Sequence, residues 1–90
     1  MASKQEIKTA FTAELLATPQ YQIVLKIKQL ILDEIARPNI NQFVVYNYET
    51  PQNKLEQQNI KMCMILEFGF STENISESCV VINMMDFLLP

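Results

Sequence analysis

The sequence predicts an α+β fold: two N-terminal helices packed on one face of a three-stranded antiparallel β-meander, in the order ααβββ. Three observations lead there. Apolar residues recur at three- and four-residue spacing up to about residue 36. Past Pro38 the chain turns to aromatic and β-branched residues, Phe43-Val44-Val45-Tyr46. From Ile60 to Phe70 the apolar residues then fall on every even position. The 90 residues make one domain, 1–90, with no room for a second core.

The first helix is expected from about residue 4 to 17. Ser3-Lys4-Gln5-Glu6 fits a capping box, and Ile7, Phe11 and Leu15 form the stripe to be buried. Thr18-Pro19 starts the second helix, with Thr18 as N-cap and Pro19 at the first helical position, where no N–H is needed. This helix should reach about residue 36 and stop at Arg37-Pro38, because the residue before a proline avoids the helical region. Gln22, Lys26, Gln29, Asp33 and Arg37 share a polar arc roughly 80° wide. The rest of the circumference is largely apolar, so the helix is expected to make contact on more than one side.

Gln42–Glu49 reads as the first strand. Residues 50–59 form a polar connection in which Thr50-Pro51 could cap one helical turn, with Leu55 packing down. Ile60–Phe70 reads as the second strand, with Met62, Met64, Leu66 and Phe68 turned toward the second helix and Gly69 inside the strand. Residues 71–77 make a turn, and 78–89 the third strand. There both faces are apolar, so the buried one stays open between Val80, Ile82, Met84 and Cys79, Val81, Met85. Tyr46 and Tyr48 share a face, either as interface anchors or as core residues with wet hydroxyls. Asp86 interrupts an apolar run, as an edge guard would.

Two helices cover only one face of such a sheet, and the other face would still be apolar. Its expected members are Phe43, Val45, Cys63, Ile65, Val81 and Met85, with Val44, Tyr46 and Tyr48 as the alternative set on the first strand and Ile82 and Met84 on the third, unless helix 1 or the polar side chains of residues 50–59 fold over that face. An exposed apolar patch of that kind marks an association surface. The net charge of −3 does little to oppose self-association, and seven Asn and eight Gln make the surface polar by amides more than by charges.

The composition also excludes function classes. There is no histidine to activate a cysteine or serine nucleophile. The lone glycine, Gly69, cannot build a phosphate-cradling loop. Cys63 and Cys79 lack metal-ligand spacing and read as reduced packing residues. No apolar run approaches membrane-spanning length, and Met1–Glu6 leads directly into polar helical sequence, so no signal peptide is expected and the expected location is cytoplasmic. No cofactor, metal or small-molecule substrate is evident.

The expected function is therefore a non-enzymatic protein-binding module, an adaptor, inhibitor or assembly factor, whose partners are a second copy of itself and another protein. Charge suggests an alternative. Residues 1–40 carry +1 and residues 41–90 carry −4. With no basic run, direct nucleic-acid binding is not expected. Glu67, Glu73 and Glu77 could instead form an acidic face that imitates nucleic acid and occupies a defence or restriction enzyme. A structural subunit of a larger assembly is the third reading.

Overall fold

The computed structural model describes residues 12–69 and 72–88. The α+β class holds, but the described sheet has two strands, not three. In chain order the elements are α1 (the helical residues 12–16), α2 (Pro19–Ile35), β1 (Phe43–Asn47), α3 (Lys54–Phe68), β2 (Cys79–Asn83) and α4 (Met85–Leu88). The expected capping box at Ser3–Glu6, and Ile7 and Phe11 of the first helical stripe, lie outside the described residues, as do Phe70 and Leu89.

Leu15 of α1 is buried, as its place in the stripe implies. The turn into α2 differs in detail from the expectation. Thr18 is the N-cap by position, yet its hydroxyl donates to the Leu15 carbonyl behind it (2.7 Å) and caps no N–H ahead. Pro19 takes the first turn as expected. Along α2, Gln20, Val24, Ile27, Ile31 and Glu34 are buried at the spacing of one helical face. The wide apolar arc resolves into that buried face and an exposed remainder that includes Leu30 and Leu32. Glu34 is buried but satisfied. Its Oε1 accepts from the Asn41 N–H and Nδ2, both at 3.2 Å, and its Oε2 pairs with Arg37 at 3.2 Å. These bonds tie the end of α2 to the start of β1.

The segment 60–70, expected as a strand, is helical through Phe68. Asn53 is the N-cap: its side chain accepts the Glu56 N–H at 2.9 Å, while the Glu56 carboxylate accepts the Gln52 N–H at 2.8 Å. Gly69 closes the helix in the left-handed conformation (φ 73°), its N–H donating to the Ile65 carbonyl at 2.8 Å. Between these caps stand Lys, Leu, Glu, Gln and Met, all good helix formers. The alternation at 60–70 was incidental, because odd positions hold Cys63 and Ile65. Ile60, Cys63 and Met64 are buried at helical spacing and Phe68 packs beside them, whereas Met62 and Leu66 are exposed.

The third expected strand is shortened to Cys79–Asn83. The Asn83 side chain accepts the Met85 N–H at 3.1 Å and starts α4, which places Asp86 in a helix rather than on a strand edge. β1 and β2 pair antiparallel, with Val45 opposite Val81 and Val44 opposite Ile82. Val44, Tyr46 and Tyr48 of the chain through β1, with Val80 and Ile82 of β2, pack on a core built from α2, α3 and Leu15. This answers the ambiguity of β2: Val80, Ile82 and Met84 point inward. It also settles the tyrosines as core residues with outward hydroxyls. Tyr46 donates to the Leu30 carbonyl (3.2 Å) and Tyr48 to the Ser76 carbonyl.

Candidate functional site

Strand alternation puts Phe43 and Val45 of β1 on the face opposite the core, and pairing places Val81 of β2 directly across from Val45. All three are exposed, at 62%, 54% and 38%. Met85, just past the end of β2, is exposed as well. Of the six expected interface residues, Phe43, Val45 and Val81 share this face and present on the order of 300 Å² of apolar side chain, the size of patch that is often functional on a monomer. Cys63 and Ile65 do not belong to it: they were assigned to a strand that is α3. Cys63 is fully buried and Ile65 packs against the core.

Among the described residues, one backbone edge of the sheet is open. The Tyr48 N–H donates to the Ser78 carbonyl (2.8 Å) and the Met84 N–H to the Gln42 carbonyl (2.7 Å). In the antiparallel register these bonds place the even-numbered residues of β1 in the ladder. The N–H and C=O groups of Phe43, Val45 and Asn47 therefore point away from β2. Among the described residues no strand pairs with that edge. The outer edge of β2 differs: Ile75 bridges to Val80, and the Ser76 N–H donates to the Cys79 carbonyl at 2.8 Å.

Beneath the open edge runs a groove of about 370 Å³ between β1 and α2, lined by Leu30, Asp33 and Arg37 on one side and Val44 and Tyr46 on the other. Sequence reasoning missed this edge. Two signals for it were present: residues 42–48 hold no charged residue and no proline, and the apolar arc of α2 was wider than one contact needs.

The expected acidic face is dispersed over different elements. Glu67 lies near the end of α3, Glu73 in the 3-10 turn Thr72–Asn74, and Glu77 in the loop before β2. Glu67 is engaged within the fold. Its Oε1 pairs with Lys28 Nζ at 2.8 Å, and its Oε2 accepts from the Tyr21 hydroxyl at 3.0 Å. The Lys28 bond, with help from Tyr21, holds the Glu67 carboxyl below its usual range, and the same contact raises Lys28 and Tyr21.

Both cysteines are free. Burial pushes the Cys63 thiol up, and it points at the Leu15 carbonyl 3.7 Å away, so it stays a neutral packing group. Among the described residues no three Cys, Asp or Glu side chains gather as a cation site, and no helix is long and apolar enough to cross a membrane. Compared with protein-family models, curated proteins and solved structures, the chain matches none of them.

Proposed function

We propose that this chain is a small non-enzymatic protein-binding module, acting as an adaptor, inhibitor or assembly factor, and that it docks through the outer face of its sheet and associates with a second copy of itself. The observation that carries the reading is the exposed apolar set Phe43, Val45 and Val81 on one face. Burying such residues at an interface contributes about 25 cal/mol per Å² of apolar area, the same effect that drives core formation. Two free thiols support a reducing compartment such as the cytoplasm as its place of work. The acidic-decoy reading has less support, because Glu67, one of the three carboxylates it needs, is already paired with Lys28.

The test compares the full wild-type chain with Phe43→Asp/Val81→Asp as immobilised bait. Both side chains point away from the core, so the variant keeps its fold. Any protein retained by the wild type, a second copy included, should be lost from the variant. Equal retention by both would overturn the reading.

A further inference from the structure

We infer that β1 is a dimerisation edge: the open edge of Phe43–Asn47 pairs antiparallel with the same edge of a second copy, making one continuous four-stranded sheet. The inference rests on the binding-module reading above and names both the occupant and its geometry.

The register is self-complementary. A two-fold axis through Val45 sets Val45 against Val45 of the second copy and Phe43 against its Asn47. The outward N–H and C=O groups of these residues then find partners, each opposed pair exchanging both bonds. On the outer face the two Val45 side chains meet, flanked diagonally by the two Phe43 rings, within reach of cross-strand packing. On the inner face the grooves beside Leu30 close against one another, covering a leucine that is 46% exposed.

Residues 42–48 also lack the sequence devices that protect a solitary edge. Monomeric proteins place lysine, proline, a bulge or an inward charge on such strands. Residues 42–48 are Gln-Phe-Val-Val-Tyr-Asn-Tyr, with none of these, and the register runs from Phe43 to Asn47 without a bulge. Residues 42–48 bring no charge to the strand seam, and the charges that line the groove, Asp33, Glu34 and Arg37, are of both signs. A seam of this length with the groove beneath it buries on the order of 500 Å² per copy, about 1,000 Å² in all, the size of a weak interface, which suits micromolar association.

The experiment uses the full chain in sedimentation equilibrium at about 100 µM, far above the expected dissociation constant. Wild type should sediment as a dimer. Val45→Pro removes an N–H that faces the open edge and leaves the β1–β2 ladder intact, so it should raise the dissociation constant at least tenfold. Val45→Lys, a natural edge guard, should act likewise without the backbone restriction of proline.

Oxidative trapping in a Cys63→Ser/Cys79→Ser background gives a second readout. Residues opposed in a hydrogen-bonded antiparallel pair have Cα atoms about 5.5 Å apart, within disulfide reach. Val45→Cys should therefore cross-link. Val81→Cys should not, because three strand spacings, about 14 Å, separate it from its twin. A monomeric wild type overturns the inference. So does a dimer indifferent to both Val45 variants, or one trapped by Val81→Cys and not by Val45→Cys. The last result means face-to-face stacking, and a dimer broken only by Leu66→Glu means docking through α3. A monomeric wild type whose captured protein is lost from Phe43→Asp/Val81→Asp removes edge pairing while the binding-module reading stands.

Discussion

Met62 and Met64 lie two positions apart, on the same face of a strand but on different faces of a helix. Met64 is fully buried among Ile31, Ile60 and Ile82, whereas Met62 is 39% exposed. Met64→Ala removes a fully enclosed thioether chain and leaves a cavity, which costs about 2–5 kcal/mol for a buried methionine. A domain of this size has about 5–15 kcal/mol in total. At roughly 4–8 °C per kcal/mol, the melting temperature should fall by about 8–16 °C even at the low end. Met62→Ala removes a side chain that is 39% exposed, leaves no enclosed cavity and adds a better helix former, so its effect should stay within about 1 kcal/mol. Circular dichroism at 222 nm, followed against temperature and against urea, measures both. Equal destabilisation by the two substitutions would refute the helical placement of residues 54–68.

The N-cap of α3 gives a second test: Asn53→Ala should cost about 1 kcal/mol through loss of the bond to the Glu56 N–H, while Leu55→Ala, at a position 67% exposed, should change little. Glu67 makes stability depend on acid. Its folded pKa lies below the unfolded value of about 4.3, so the stabilisation is whole above that pH and is lost as pH falls through the folded value. Glu67→Gln should therefore reduce the drop in melting temperature between neutral and acid pH, and an unchanged drop would argue against the Lys28 contact. The thiols should differ in reactivity, with Cys79 titrated by a thiol reagent in the native protein and buried Cys63 only on unfolding. Equal rates would contradict the core placement of Cys63.

Helix α2 and strand β1 were legible because local signals agree with each other there. Thr18-Pro19 and Arg37-Pro38 bracket a helical pattern, and Phe43–Tyr46 is β-branched and aromatic throughout. Alternation grouped Phe43 with Val45, and Val81 apart from Val80 and Ile82, but which group faces outward was decided by packing. Helix α3 was misread because one signal was allowed to outweigh two others. A period of two is informative only when the intervening positions are polar, and here they include Cys63 and Ile65. The brackets Asn53-x-x-Glu56 and Gly69, with helix-forming residues between them, pointed the other way.

The sequence by itself determined the α+β class, the span of α2, the position of β1 and the apolar character of the outer face. Each of these depends on residues adjacent in the chain or one turn apart. Tertiary structure alone decided the rest. β2 is apolar on both faces, so only packing against α2 and α3 selects Val80, Ile82 and Met84 for the core. Glu67 meets Lys28 and Tyr21 across 39 and 46 residues of chain, a pairing no local pattern contains. The open edge of β1 arises because residues 54–68 form a helix and contribute no strand to the sheet. A strand's own sequence specifies which way its side chains alternate, but its neighbours determine whether its backbone groups are paired.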